Sequence, residues 1–270
     1  MKPEISILTS SFNRKDLLLE KLKTLETQSL SPEHFEWLVF INGSDDSYEA
    51  LSQVKTPIQL ELIKQSPTSI GEARNVCAKK AQGRILYFSD DDCLLEKDTL
   101  EQHLEAQENG CVAVGGIHFV AESEELWKPQ QVSFWNLNGA NSSLPKAAFD
   151  QVGGFDSRIQ GYGGEDLLLG YKLCKAGLPF HALPRVVVRH MGPNPMRGRD
   201  LKKAKSAGRN AAKIAQLYPE LAYRLGVHPL LMGLKEVSFN SPLSLVLKRL
   251  NPESFAYEQA YFEGAKAERI

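Results

Sequence analysis

Phe88-Ser89-Asp90-Asp91-Asp92 is the stretch on which the reading of this chain turns. Ahead of it, Ile85-Leu86-Tyr87-Phe88 is an apolar run of strand length that stops at three consecutive carboxylates. Like charges at that spacing repel, and desolvating them costs more still. Two readings stay open from these residues alone. One is a solvated strand-to-helix turn whose aspartates cap backbone amides. The other is a ligand site, because open α/β sheets bind ligands beyond the carboxyl ends of their strands. A divalent cation would remove the repulsion, and hard carboxylate oxygens suit Mg2+ or Mn2+.

Working back from the acids, Ile5-Ser6-Ile7-Leu8 is a short β run that ends in Thr9-Ser10-Ser11-Phe12-Asn13. Asn13 and Asp16 read as a helix N-cap pair, and Leu17, Leu18, Leu22 and Leu25 follow with helical spacing. Phe35-Glu36-Trp37-Leu38-Val39-Phe40-Ile41 is a second strand, closed by the turn chemistry of Asn42-Gly43-Ser44-Asp45-Asp46. A third strand is expected over 58–63, a helix from Gly71 to about Ala81 stopped by Gly83, and a helix over 96–108. Strands alternating with helices predict a mostly parallel sheet. The polar ends Ser10-Ser11, Asn42-Gly43 and Asp90-Asp91-Asp92 then converge on one edge of it.

Beyond the acids the pattern changes. Residues 112–120 and Val132-Ser133-Phe134-Trp135-Asn136 read as strands, and Gly139-Ala140-Asn141-Ser142-Ser143 is small enough to let a ligand or another backbone approach. Gly161-Tyr162-Gly163-Gly164-Glu165-Asp166 leads into the helical Leu167-Leu168-Leu169. The two acids there serve either a helix N-terminus or, held by flexible glycines, general-base chemistry. Val186-Val187-Val188-Arg189-His190 is a strand ending in histidine, either a structural imidazole or a ligand. The stretch with Arg197, Arg199, Lys202, Lys203, Lys205 and Arg209 is a solvated helix face, a cationic lid over phosphates, or a patch for anionic lipid. Apolar clusters then follow, punctuated by Pro229, Pro242 and Pro252, either packed on a core or lying at a membrane surface.

Composition narrows the classes. The chain has 270 residues, 32 basic and 33 acidic, for a net charge of −1, which does not describe a nucleic-acid binder. Cys77, Cys93, Cys111 and Cys174 form no CxxC pair and read as reduced thiols in a cytoplasmic protein. No signal peptide and no membrane span is expected. GxGxxG, GxxxxGK[ST] and GxSxG are all absent from the sequence, so a nucleotide would be held by strand-end side chains and a metal.

Taken in order, these blocks resemble family 2 inverting glycosyltransferases of the GT-A fold: Ser6 to Arg14, Gly71 to Asn75, the DxD-like Asp90-Asp91-Asp92, and Gly139-Ala140-Asn141 with Gly153-Gly154-Phe155-Asp156. Gly161 to Asp166 and Arg189-His190 are also similar to β-1,4-galactosyltransferases and polysaccharide synthases. The resemblance covers roughly residues 4–196. It implies an α/β fold with a Rossmann-like mixed sheet flanked by helices, a GT-A domain over 1–196, and a basic then helical extension over 197–270.

It also implies roles. Asp92 and His190 become metal ligands, for Mn2+ before Mg2+ because imidazole joins carboxylate. Asp166 becomes the catalytic base, with Glu165 beside it against acceptor or donor sugar. Ser10, Phe12, Arg14, Asn42, Arg74, Asp90, Asp91, Asn141, Tyr162, Gly163 and Gly164 become substrate contacts. Among them Asp90 lies near the ribose, Arg74 near the nucleotide, and Tyr162 against the sugar. Asn42 stands where the family usually has the uracil-binding Asp. The partners implied are a nucleotide-sugar donor, probed first as UDP-sugar, and a glycan or lipid-linked acceptor, with peripheral contact at the inner face of a membrane. The alternatives are a sugar-phosphate nucleotidyltransferase and a non-catalytic nucleotide-sugar-binding protein. The first is expected to carry a glycine-rich loop that residues 9–14 lack.

Overall fold

The structure is a computed structural model and describes residues 2–65, 69–120, 125–192 and 200–268. The chain divides into two compact units, Met1–Asp156 with Leu169–Asn194, and Ser157–Leu168 with Pro195–Ile270. The sequence places the boundary at 196/197; the division adds 157–168 and 195–196 to the second unit.

The first unit runs β1 (Ile5–Ser11), α1 (Lys15–Glu26), β2 (Phe35–Ile41), α2 (Ser47–Ser52), β3 (Gln59–Lys64), α3 (Ile70–Lys80), β4 (Ile85–Phe88) and β5 (Cys93–Leu94). It continues with α4 (Thr99–Ala106), β6 (Val112–Phe119), β7 (Glu125–Trp127), β8 (Ser142–Pro145), α5 (Lys146–Gln151), α6 (Glu165–Lys175) and β9 (Phe180–His190). The first turn of α6 counts with the second unit. The strands form one sheet in the order β3-β2-β1-β4-β8-β6-β9-β5, with β7 on β6. Pairing is parallel from β3 to β4 and antiparallel at β4/β8 and β8/β6. It returns to parallel at β6/β9 and is antiparallel again at β9/β5.

Every residue of β2 is buried, as is all of β1 except Ser10. That is the pattern of strands covered on both faces. Ile7, Trp37, Val39 and Tyr87 feed one core, and Leu8, Leu38, Phe40, Leu86 and Phe88 feed the other. Buried Glu36 is satisfied by Ser6 Oγ at 2.6 Å and by the Gln82 and Gly83 amides. The parallel register brings the carboxyl ends of β2, β1 and β4 side by side, with Asn42 N–H donating to Ser11 O and Ser89 N–H to Leu8 O. Asn75 brackets Phe155 through two 2.9 Å bonds, which explains why two distant sequence blocks occur together.

Two local expectations change. Residues 132–136 form no strand; Phe134–Asn136 is a 3-10 turn closed by a Ser133/Asn136 capping box. Asn13 does not cap α1. Its backbone is left-handed at φ 54, and its Oδ1 accepts from the Ser44 and Asp45 amides, tying the β1 loop to the β2 loop.

In the second unit, α7 (Leu201–Leu217) is followed by α8 (Pro229–Asn240), α9 (Leu243–Leu250) and α10 (Pro252–Ala267). Gly208 on α7 and Gly264 on α10 let the two backbones touch: a Cβ on either would strike a carbonyl, Tyr261 O or Lys205 O. Ala211, Ala212, Val227, Met232, Phe262 and Ala265 form its core. Asp200 caps α7 by accepting from the Lys202 and Lys203 amides. Lys202, Lys203, Lys205 and Arg209 lie on its solvated face, and Arg197 and Arg199 lie outside the described residues.

Candidate metal centre and sugar-site segment

The acid turn is built in the first unit between β4 and β5. Cys93 and Leu94 pair with His190 and Arg189 of β9, and this two-residue ladder brings together groups far apart in sequence. Met191 N–H donates to Asp92 O at 2.8 Å and Cys93 N–H to Asp90 O at 3.1 Å. Asp92 is buried, and its carboxylate meets His190 Nε2 at 3.4 Å and Arg14 at 3.2 Å. Asp92, His190 and Cys93 place one ligand atom each within 4.8 Å of one another.

The imidazole geometry bears on whether these residues fit a metal. His190 Nδ1 lies 3.1 Å from Gly192 O. A carbonyl only accepts, so Nδ1 carries the proton. In the neutral ring Nε2 then turns a lone pair toward a carboxylate oxygen, an arrangement that a cation between them resolves. A metal-binding histidine also usually donates its other ring N–H to a carbonyl or carboxylate in this way. Gly192 keeps the space clear, since a Cβ there would run into Asp92 Oδ2 and His190. Burial and the neighbouring acids hold the Cys93 thiol protonated, well above its ordinary value, so carboxylate and imidazole are the donors offered. That set fits a Mn2+- or Mg2+-like ion with coordination positions left open.

The other acids are held differently. Asp90 accepts from Arg74 at 2.7 Å. The Arg74 guanidinium is buried against Phe88 and Phe155, in space left open because Gly139 has no Cβ. Arg74 therefore orients Asp90, the acid expected near the ribose. Asp91 is half-buried; burial first and the Asp92 charge second push its carboxyl up to about 6. Beneath the turn, Lys21 is completely buried. Burial pushes its ammonium down from the ordinary value, while Cys93 and the acids pull it back up.

Ser10 is half-buried, Phe12 is exposed, and Asn42 begins the loop beside them. Asn141 departs from its expected place as a substrate contact. Its Oδ1 accepts from Tyr87 at 3.0 Å and His103 Nε2 at 2.9 Å, and its Nδ2 donates to Gly116 O at 2.9 Å and Val186 O at 3.1 Å. It is fully buried, so all its hydrogen-bonding capacity is spent inside the sheet and none remains for substrate.

Tyr162, Gly163, Gly164, Glu165 and Asp166 belong to the second unit. The glycines are not a flexible hinge. Gly161, Gly163 and Gly164 have φ of 76, 86 and 98, and buried Asn210 on α7 donates to Gln160 O and Gly163 O at 2.8 Å. Ser206 accepts from Tyr162 N–H at 2.8 Å, and Lys203 Nζ lies 4.7 Å from the Tyr162 ring centre. The segment is thus fixed at the point where Glu165 and Asp166 open α6. Glu165 Oε2 is buried with no hydrogen-bond partner among the described residues. A buried bare carboxylate oxygen is costly unless a ligand completes it.

Sequence reasoning missed Cys93, Lys21 and Asn210. Only Lys21 carried a signal: it stands on the Leu18, Leu22, Leu25 stripe, where a cation is out of place.

Comparison with known proteins bears on this arrangement. The model of the family described as "Glycosyl transferase family 2" matches residues 6–162. Validoxylamine A glucosyltransferase of Streptomyces hygroscopicus subsp. limoneus is 28% identical over 229 residues, which cover 66% of this chain and 49% of that protein. O-antigen biosynthesis protein RfbC of Myxococcus xanthus is 28% identical over 211 residues, 65% of this chain and 16% of that protein. The chain spans about half the length of the validoxylamine A glucosyltransferases it matches. Among solved structures, the Pyrobaculum calidifontis mannosyltransferase PcManGT, in complex with GDP-Man and Mn2+, superposes with a TM-score of 0.64 at 18% identity, covering 99% of this chain and 87% of that one. S. aureus TarS 1-349 in complex with UDP-GlcNAc gives 0.65 at 17% identity, covering 97% and 81%.

Proposed function

Since the chain belongs to glycosyl transferase family 2 and has the GT-A fold, we propose that it is an inverting glycosyltransferase. It moves a sugar from a nucleotide-diphosphate sugar, with UDP-sugars as the first candidates, to a hydroxyl of a glycan or lipid-linked acceptor. The product belongs to a surface polysaccharide, lipopolysaccharide or glycolipid. The observation that carries this reading is the Asp92–His190 pair, with Nδ1 of the imidazole committed to Gly192 O. A solved neighbour that binds GDP-Man with Mn2+, and another that binds UDP-GlcNAc, support it.

In this reading Asp92 and His190 hold a divalent ion, Mn2+ before Mg2+. When bound, that ion supplies a Lewis acid for the negative charge that develops on the leaving diphosphate. Arg14, beside Asp92, adds a second positive group. Asp90, oriented by Arg74, and Asp91 face the nucleoside, Asn42 its base, and Ser10 and Phe12 the walls around it. Tyr162, Gly163 and Gly164 form the sugar wall. The acceptor hydroxyl is a weak nucleophile, so Asp166 takes its proton as the new bond forms, and attack opposite the leaving group inverts the anomeric carbon. One observation favours a second assignment: the bare buried oxygen of Glu165 makes that residue the competing base.

A lipid-linked acceptor calls for a membrane surface, and we assign that contact to α8 and α9. Leu230, Leu234 and Val237 form an exposed stripe on α8, and Leu245, Val246 and Leu250 are exposed on α9 beside exposed Lys248 and Arg249. Aliphatic exposure next to cations matches an anionic bilayer. The contact proposed is a peripheral one; no helix among the described residues is long and apolar enough to cross a membrane. The reaction then takes place at the cytoplasmic face.

The test is a donor screen on the full chain, reading nucleoside diphosphate release with Mn2+, Mg2+ or chelator. Release from at least one nucleotide sugar, dependent on metal, is expected. No release from any donor with any acceptor preparation refutes the activity.

A further inference from the structure

We infer that Lys21 is a positioning residue that holds the acid turn in its metal-ready shape before any metal arrives. The inference rests on the proposed metal centre and concerns a residue outside it.

Lys21 lies on the apolar stripe of α1, three residues after Leu18, and is wholly removed from solvent. Its ammonium has three protons, and each has an acceptor: Ser89 Oγ at 2.5 Å, Asp90 O at 3.0 Å and Cys93 O at 2.8 Å. All three acceptors are neutral. A buried cation bound only to neutral groups is an expensive way to stabilise a core, and an aliphatic residue would pack the same stripe without that cost. The position is explained by what the bonds constrain. Ser89 and Asp90 enter the turn, and Cys93 leaves it. By drawing both ends onto one point, Lys21 fixes the backbone that carries Asp90, Asp91 and Asp92. The entry is pinned once more, since Ser89 O accepts from Thr9 Oγ1 at 3.0 Å and Thr9 Oγ1 accepts from Trp37 Nε1 at 3.0 Å.

The same contacts answer the repulsion among the acids. Three adjacent carboxylates repel whenever no divalent ion is present, and the turn tends to splay. Lys21 supplies a fixed positive charge beneath them without occupying a ligand atom of Asp92. Two effects on metal affinity oppose each other. A nearby cation disfavours a second one, whereas a preformed turn spares the metal the cost of ordering its ligands. The three short bonds point to the second effect as the larger, so loss of Lys21 weakens metal binding. Outer-shell supports of metal sites typically contribute about 10–100-fold in affinity.

The experiment titrates Mn2+ into the full chain with UDP present and follows free Mn2+ by electron paramagnetic resonance, with thermal unfolding measured in parallel. Lys21→Met keeps an unbranched side chain, one atom shorter, and removes its charge and donors. Leu18→Ala, on the same stripe, is the control for stability alone. Both variants are expected to unfold at lower temperature, and only Lys21→Met to raise the Mn2+ Kd, by about tenfold or more. Lys21→Met binding Mn2+ as tightly as wild type, or more tightly, overturns the inference, and so does an equal weakening in Leu18→Ala. If Lys21→Met does not fold, Ser89→Ala removes one of the three acceptors and is expected to weaken Mn2+ binding severalfold. An unchanged Kd there overturns the inference as well. Wild-type protein that binds no Mn2+ overturns the metal centre itself and the inference with it, whereas failure in the variants alone leaves the centre standing.

Discussion

Replacing Asn141 with leucine separates a structural hub from a substrate contact. Leucine keeps the branched heavy-atom skeleton of asparagine, is somewhat bulkier, and has no polar atom. In Asn141→Leu the Tyr87 hydroxyl and His103 Nε2–H lose their acceptor, and the Gly116 and Val186 carbonyls lose their donor. Each buried group left unsatisfied costs about 1–3 kcal/mol. Such terms do not add fully, because Tyr87 and the two strands relax, and a total of about 3–5 kcal/mol is expected. That is a large share of the roughly 5–15 kcal/mol that holds a domain folded. Urea unfolding monitored by tryptophan fluorescence reads it. With a slope of about 2–3 kcal/mol/M, the midpoint falls by roughly 1–2 M. Donor affinity, measured by calorimetry at low temperature where the variant is still folded, stays near wild type. A midpoint within about 0.3 M of wild type together with lost donor binding refutes the reasoning and restores Asn141 to the ligand.

Asp92→Ala and His190→Ala are each expected to raise the Mn2+ concentration needed for activity, with Asp92→Ala also abolishing turnover; an unchanged metal titration for either removes that residue from the centre. Asp166→Asn is expected to lower kcat by about 10²–10⁴-fold with donor affinity preserved, and Glu165→Gln to act on KM at least as much as on kcat. Steady-state kinetics in which the two variants exchange these effects make Glu165 the base. Burial holds His103 neutral and lowers its pKa from the ordinary 6.5 to about 4. Its contribution, about 3 kcal/mol, is therefore complete above pH 6.5 and is lost as pH falls toward 4. Urea midpoints at pH 7 and pH 4.5 check this, and His103→Gln, which does not titrate, should lose visibly less between them. Finally, co-sedimentation with liposomes should rise with anionic lipid and drop in Leu234→Ser/Leu250→Ser; binding indifferent to lipid charge and to both substitutions leaves α8 and α9 without a membrane role.

The parts of the fold that read clearly from the chain are those whose signal is local. Phe35 to Ile41 is apolar throughout because both faces of β2 are covered, and an uninterrupted run can be seen without knowing what covers it. The acids after Phe88 and the histidine closing β9 are likewise visible as chemistry stranded at strand ends. The missed turn at Phe134–Asn136 shows the limit of this signal. Val132 to Asn136 has strand-like composition, yet a four-residue capping box that satisfies its own backbone wins over propensity. Asn13 fails as a cap for the opposite reason: its partners, the Ser44 and Asp45 amides, come from another loop.

What supports the site is illegible for a single physical reason. A candidate carboxylate announces itself by type, but the group that holds its segment in place is defined by a contact between parts distant in the chain. Lys21 reaches Ser89, Arg74 reaches Asp90, and Asn210 reaches Gly163, each across a long stretch of chain. An arginine in a helix and an asparagine in a basic segment are individually unremarkable, and a lysine on an apolar stripe signals burial without naming what it holds. They become specific only once burial removes water, because a buried donor must then find an acceptor, and the loop that offers carbonyls is the loop that gets fixed. The same rule explains why Asn141 misleads. A small polar residue at the end of a glycine-bearing loop has the signature of a ligand contact, and only the four partners around it show that the fold has already used it. A polar residue in this chain is thus read as a ligand contact where its partners are incomplete and as scaffold where they are complete. By that measure Asp92 and His190 in the first unit, and separately Glu165 in the second, are read as ligand contacts, while Arg74, Asn141 and Lys21 are read as scaffold.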